Sequence, residues 1–281
     1  MNDPILETQN LTVKFGKKAA VDGVDIILHR GEAAVIAGPN GAGKSTFLKC
    51  LAGAIVPDRG AALPAPGLSR KSIGFISDKL SLYENWTLDE AWRFHREVYE
   101  IAEPTRPSFE GLTLDGRSKI KKLSVGERTL FHLSLILAQK PALLLIDEVI
   151  YGIDAYLREK FLEAVIEAID AFNASVVMIN HTFTDTAQIP ERILIMDRGR
   201  FVLDERREEL EKKVKKVIAE GSWPPDIPVL FEAGSELRKT RYVFPFRDDW
   251  RGRPGLAFED IGLGDIVKAF IGGAYVQKRA R

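Results

Sequence analysis

The most specific chemistry in this chain lies in one run of eight residues, Gly38-Pro39-Asn40-Gly41-Ala42-Gly43-Lys44-Ser45. The run fits the pattern G-x-x-x-x-G-K-[ST] in full, with Thr46 next and the apolar stretch Ala33–Ala37 before it. Gly41 and Gly43 have no Cβ, so the backbone there can approach a phosphate and take positive φ. Successive N–H groups then point inward as an anion nest. The N-terminus of the helix expected from Lys44 adds partial positive charge, about 0.3–1 kcal/mol at an exposed anion and up to about 2 when partly buried. Lys44 would reach the β- and γ-phosphates of a nucleoside triphosphate, and Ser45 would give its hydroxyl to Mg²⁺. Gly38, Asn40, Ala42 and Thr46 complete the nucleotide-binding set. Taken alone, the loop leaves open any P-loop NTPase.

Asp147-Glu148 follows the apolar run Leu143-Leu144-Leu145-Ile146. Consecutive strand residues face opposite sides, which predicts separate tasks for the two carboxylates. Asp147 would hold Mg²⁺, mostly through water. Glu148 would orient or polarise the attacking water, a role worth about 10²–10⁴-fold in rate. Asn180-His181 follows the next apolar run, Ser175–Ile179. That places His181 at a strand end, on the edge where α/β sheets bind ligands, where it would contact the γ-phosphate.

These residues need elements to position them. Leu11, Val13 and Phe15 alternate with polar neighbours, as do Val24, Ile26 and Leu28, so residues 5–37 read as strands. Ala33–Ala37 is an uninterrupted apolar run, as expected of a strand buried on both faces. Ile73–Ile76, Leu143–Ile146, Ser175–Ile179 and Ile193–Met196 read as further strands. Thr87-Leu88-Asp89-Glu90 has capping-box spacing and opens a helix. Residues 103–118 read as a loop, and Thr129–Gln139 and 155–171 as helices. Strands alternating with helices predict a parallel α/β sheet. Beyond residue 205 the spacing predicts a charged amphipathic helix over Glu205–Glu220, strands at Val229–Phe231, Tyr242–Phe244 and Leu256–Phe258, and a helix near 264–271.

Composition narrows the class. The chain has 281 residues, 45% hydrophobic and 28% charged, which suits a globular protein with a sizeable core. Lys+Arg and Asp+Glu both number 40, so no global basic excess is available for a nucleic-acid backbone. Cys50 is the one cysteine. It excludes an internal disulfide and suits a reducing compartment. Met1-Asn2-Asp3-Pro4 lacks the basic start and apolar run of a signal peptide, and no apolar run approaches the ~18 residues of a membrane span.

With these residues assembled, the sequence resembles the nucleotide-binding subunit of ABC transporters over about residues 5–205. Leu123-Ser124-Val125-Gly126-Glu127-Arg128 resembles the family's LSGGQ signature, and Gly126 lies 21 residues before Asp147. Gly152-Ile153-Asp154 resembles the D-loop, Asn180-His181 the switch histidine, and Asp78 stands at the Q-loop position, where its oxygen would reach Mg²⁺. Phe15 stands where the family stacks an aromatic on adenine. The resemblance implies that Ser124, Gly126, Glu127 and Asp154 help to bind ATP, the first three by capping the ATP held by a second chain. Two chains head to tail would then enclose two sites. Val125, Glu127 and Asp78 depart from the family's usual Gly, Gln and Gln, and Tyr99–Leu123 is short for the helical subdomain.

The implied fold is an α/β P-loop NTPase with a RecA-like parallel core, an N-terminal antiparallel β-subdomain, a helical signature subdomain and a small C-terminal α+β extension. The expected division is 1–210 for the ATPase domain and 211–281 for the accessory part. The implied function is an ATP-hydrolysing subunit, with ATP and Mg²⁺, that powers a separate integral membrane permease. It would be cytoplasmic, held on the inner face of the membrane by that permease, and paired with a second ATPase subunit. Ile261–Gly272 resembles the closing "LEDIF-x-ALxG" segment of exporter-type ATPases, and Asn85–Glu90 their "NLTVxE", which points to export. The alternative class is a soluble ABC-type ATPase acting on nucleic acid or ribosomes, or in iron–sulfur assembly. The balanced charge and single cassette predict no nucleic-acid partner.

Overall fold

The computed structural model describes residues 3–77, 83–103, 109, 112–149, 153–180, 189–220, 222–235 and 238–279. Along the chain, β1 (Pro4–Phe15) and β2 (Lys18–His29) precede β3 (Ala33–Ala37) and α1 (Lys44–Leu51). Then come β4 (Arg59–Pro64), β5 (Ile73–Ser77), α2 (Leu88–Tyr99) and α3 (Val125–Ala138). The core closes with β6 (Leu143–Asp147), α4 (Ala155–Phe172), β7 (Ser175–Ile179), β8 (Arg192–Asp197) and β9 (Arg200–Arg206).

The central sheet has six strands in the order β5-β6-β7-β3-β8-β9, all neighbours parallel except the β8–β9 hairpin. Both faces are covered, and strand alternation divides the cover. Ala33, Val35, Leu144, Ile146, Val176 and Met178 pack towards α3 and α4. Ala34, Ile36, Leu143, Leu145, Val177 and Ile179 pack towards α1 and the N-terminal sheet. This is the physical content of the uninterrupted apolar runs. The N-terminal sheet is antiparallel in the order β2-β1-β4. Register fixes the edge that matters for chemistry. Ser77 pairs with Asp147, Asp147 with Ile179, and Ile179 with Ile36, so four strands end in one row.

The helical segment is held by two reciprocal caps. Glu90 Oε2 accepts the Thr87 N–H at 2.7 Å and Thr87 Oγ1 accepts the Glu90 N–H at 3.2 Å, the capping box expected there. Ser124 and Glu127 form the second box, so α3 starts at Val125, four residues before the expected Thr129.

The C-terminal reading needs correction. The helix expected over Glu205–Glu220 is only α5 (Arg207–Lys213). Lys215–Ala219 is instead β10, followed by β11 (Phe231–Ser235), β12 (Arg238–Val243), β13 (Leu256–Glu259) and α6 (Leu263–Arg279). β10 lies inside an antiparallel sheet of order β11-β12-β10-β13. Lys215 and Val217 face inward, and the Lys215 ammonium binds the Glu211 carbonyl and Asp260 carboxylate at 2.8 and 2.7 Å. Tertiary pairing on both sides overrides a helical spacing of Leu210, Val214 and Val217. Leu210, Val214, Leu263, Ile266 and Val267 join the apolar cluster of Ile193 and Ile195, so the cluster is continuous across residue 210.

Candidate functional site

β3 delivers the chain to the phosphate loop and α1 leads it away. Gly38, Gly41 and Gly43 have φ of 147°, 76° and 109°. Their glycine requirement has two sources. A Cβ at Gly41 would meet nothing within 4 Å, so only its backbone conformation calls for glycine. A Cβ at Gly38 would collide with the Met196 carbonyl oxygen, and one at Gly43 with that of Ala20. These two glycines let the loop lie against β8 and β2. Asn40 is exposed, Ala42 is buried, and Thr46 is half-buried on α1.

Lys44 is 4% exposed and donates to the carbonyls of Gly38 and Pro39 at 2.9 and 3.1 Å. Burial holds its ammonium below the usual lysine range, while the Glu148 and Asp147 carboxylates push it back up. The side chain therefore spans the loop with its charge between the loop carbonyls and two acids. Glu148 Oε1 is 4.0 Å from Lys44 Nζ. Ser45 Oγ donates to Asp147 Oδ1 at 2.8 Å. The two carboxylates do not divide by strand alternation as expected. β6 stops at Asp147, and Glu148 takes a left-handed φ of 54°, so both acids act on Lys44 across the same edge. A non-glycine residue there carries backbone strain.

The residues fit a hard divalent cation. Ser45 and Asp147 supply two neighbouring oxygens, a donor set that suits a Mg²⁺ that keeps its waters and shares phosphate oxygens. Asn180 is buried just past β7, its N–H donating to the Ile36 carbonyl at 3.3 Å. Asp78 and His181 lie outside the described residues, as does Gly152.

The signature-like segment is a separate feature, built on α3. Ser124 caps the helix, and its Oγ accepts from the Glu127 N–H at 3.2 Å. Glu127 Oε2 accepts the Ser124 N–H at 2.8 Å, which turns its carboxylate back onto its own helix. Gly126 is buried against α4, where a Cβ would stand 2.5 Å from Leu157 Cδ1 and 3.1 Å from Ile153 Cγ2. Asp154 caps α4, accepting from the Leu157 N–H at 3.1 Å. Gly126 thus seats the start of α3 on the start of α4. Phe15 ends β1 and is 60% exposed, free to offer a ring face.

One neighbour of the loop lies outside the motif: Gly199, in the turn between β8 and β9. Its N–H donates to the Ala42 carbonyl at 2.7 Å, and its own carbonyl accepts from the Asp22 N–H at 2.9 Å. The signal was available as a glycine between the apolar runs Ile193–Met196 and Phe201–Leu203, a hairpin turn. Its contact with the loop is long-range and has no sequence signature.

A phosphate-binding loop after a buried parallel strand, with an acidic pair closing the neighbouring strand end, defines a P-loop nucleotide-binding protein. Residues 21–150 match the ABC transporter family model. The aliphatic sulfonates import ATP-binding protein SsuB 1 of Nocardia farcinica is 31% identical over 203 residues, 69% of this chain and 78% of that protein. The probable multidrug ABC transporter ATP-binding protein YbhF of Escherichia coli is 30% identical over 224 residues, 74% of this chain. The matched part spans 38% of YbhF's length. A solved structure of an ATP-binding subunit of an ABC transporter shares the fold, with a TM-score of 0.66 and 24% identity over 74% of this chain and 92% of that one. The chain belongs to the ABC transporter family, as one of its ATP-binding proteins.

Proposed function

We propose that this chain binds Mg²⁺-ATP, hydrolyses it, and powers export through a separate integral membrane permease. The observation that carries the ATPase reading is the row of strand ends on which Lys44, Ser45, Asp147 and Glu148 converge. The loop N–H groups and Lys44 bind the triphosphate, with Gly38, Asn40, Gly41, Ala42, Gly43, Ser45 and Thr46 around it. Phe15 stacks on the base. Ser45 and Asp147 would hold Mg²⁺, assisted by Asp78, and the ion would supply charge neutralisation on the phosphate oxygens. Glu148 accepts hydrogen bonds from the attacking water, orients it towards the γ-phosphate and takes up its proton. His181 contacts the γ-phosphate.

A second copy completes each site. Ser124 and the backbone at the start of α3, including that of Gly126, cap the nucleotide of the partner subunit, and Asp154 lines the same junction. The γ-phosphate is then part of the interface, so it favours the closed pair and its loss releases it. Residues 1–210 form the ATPase domain, and 211–281 an accessory part packed on it through α6. Among the described residues no helix is long and apolar enough to cross a membrane. In this reading the permease holds the chain at the cytoplasmic face of the membrane.

Export is supported by the resemblance of Ile261–Gly272 and Asn85–Glu90 to exporter-type segments, while four of the similar proteins carry import names. The test is purification of the tagged chain from detergent-solubilised membranes, followed by Mg²⁺-dependent ATP hydrolysis. Recovery of an integral membrane protein with ATPase activity is the expected outcome. Recovery with ribosomes or soluble scaffold proteins overturns the transporter reading. ATP-driven loss of a substrate from cells that express the pair, as against accumulation, decides the direction.

A further inference from the structure

We propose that the β8–β9 turn is the back wall of the phosphate loop, and that Gly199 is a positioning residue for ATP binding. The proposal rests on the reading of residues 38–46 as the triphosphate site. Three backbones meet at Gly199. Its N–H holds the Ala42 carbonyl at 2.7 Å, inside the loop, and its carbonyl holds the Asp22 N–H of β2 at 2.9 Å. Its Cα lies 3.5 Å from the point where a Gly43 Cβ would project. The same hairpin supplies the Met196 carbonyl that Gly38 must accommodate. The loop is therefore fixed by two glycines of its own against β2 and β8, and by one glycine of the turn.

Gly199 is the residue type this junction demands. Its φ is +81°, a region that L side chains rarely adopt. A Cβ there would lie 2.9 Å from the Ala20 oxygen and 3.2 Å from the Asp22 nitrogen, both backbone atoms. A side chain at 199 must push the turn away from β2, and the Ala42 carbonyl then loses its partner. The carbonyl of Ala42 points to Gly199, and the Ala42 N–H is taken by the Pro39 carbonyl at 3.1 Å, so across the trans peptide it is the Gly43 N–H that is directed to the other side, where a phosphate would sit. Gly199 acts through Ala42 and Gly43, without touching the nucleotide itself.

The test compares Gly199→Ala with Gly252→Ala. Gly252 has the same kind of φ, +80°, but open space where a Cβ would go, so it carries the conformational penalty without the collision. Each full-length variant is checked for folding by circular dichroism and titrated with a fluorescent ATP analogue. Gly199→Ala is expected to bind about tenfold more weakly, the ratio that corresponds to releasing one strained backbone site, while Gly252→Ala keeps wild-type affinity. A folded Gly199→Ala within twofold of wild type overturns the proposal.

Lys44→Ala in the same titration separates the two levels. If Lys44→Ala loses affinity and Gly199→Ala does not, the clamp falls and the site stands. If Lys44→Ala also binds normally, the triphosphate site itself is misplaced and both fall. Should Gly199→Ala fail to fold, amide exchange of the wild-type protein decides. Slower exchange of the Gly199 N–H with saturating nucleotide supports the clamp, and an unchanged rate overturns it.

Discussion

Ser45 Oγ and Asp147 Oδ1, 102 residues apart in sequence, share a 2.8 Å hydrogen bond that ties the first turn of α1 to the end of β6. The bond brings together a hydroxyl and a carboxylate whose lone pairs suit a hard cation. Both groups would hold the cation through those lone pairs, and the cation would compete with the hydroxyl proton for Asp147 Oδ1. Asp147→Asn keeps the shape and removes the charge. A Mg²⁺ titration of ATPase activity is expected to need about 10–100-fold more metal in this variant, the usual cost of losing a partner of the metal's own ligands. An unchanged Mg²⁺ requirement removes Asp147 from the metal site.

Glu148 sits one residue beyond the strand, in a left-handed conformation, 4.0 Å from Lys44. Glu148→Gln preserves size and hydrogen-bonding capacity but cannot take a proton. ATP affinity is expected to stay within about twofold, because the Lys44 contacts to the loop are untouched, while hydrolysis slows by about 10²–10⁴-fold. Binding without turnover leaves the γ-phosphate in place, so size-exclusion chromatography with ATP should show the variant as a dimer. Normal turnover would falsify the catalytic assignment of Glu148.

The phosphate loop and the acidic pair were legible because local rules dictate each residue. Glycine supplies positive φ, and an apolar strand must precede the loop. The same holds for the Thr87–Glu90 box. The Ser124–Glu127 box has identical spacing, and its carboxylate binds the Ser124 N–H instead of projecting outward. That contact explains why a glutamate serves at 127, since a cap needs only an acceptor oxygen there. β10 is not legible in the sequence because Lys215-Lys216-Val217-Ile218-Ala219 carries no turn before it, and strands on both sides decide its state. Short edge strands such as β4 and β9 have no strong periodicity, and the contact of Gly199 with Ala42 spans 157 residues. Features settled by long-range pairing leave no local trace.

Two histidines make the helical segment sensitive to acid. His132 is held down to about 4 by burial, with His95 adding repulsion, and its Nδ1 has no hydrogen-bond partner among the described residues. His95 is likewise held to about 4, mainly by burial, and accepts from or donates to Gln139 at 2.9 Å. An unfolded histidine titrates near 6.5. The folded value is lower, so protonation favours the unfolded chain, and stability falls as pH drops from about 6.5 towards 4. The slope is about 1 kcal/mol per pH unit for a fully buried histidine. Urea unfolding at pH 7 and pH 5 should show this loss in the wild type and a smaller one in His132→Leu. Equal pH dependence in the two proteins contradicts the assignment.

Ile266 tests whether the C-terminal part is an independent unit. Its side chain is fully buried in the cluster that holds Leu210, Val214 and the β8 residues Ile193 and Ile195. Phe270, further along α6, packs against the same cluster and, at 5.1 Å ring separation, against Phe244, just past β12. The helix therefore links the C-terminal sheet to the ATPase core by apolar contact on both sides. Ile266→Ala removes buried methyl groups and leaves a cavity, at a cost of about 2–5 kcal/mol. If one cluster holds both parts, calorimetry gives a single transition and its midpoint drops for the whole chain, ATP-binding region included. Two transitions, with only the upper or lower one moved, would show that residues 211–281 fold as a separate unit and that α6 merely rests on the core.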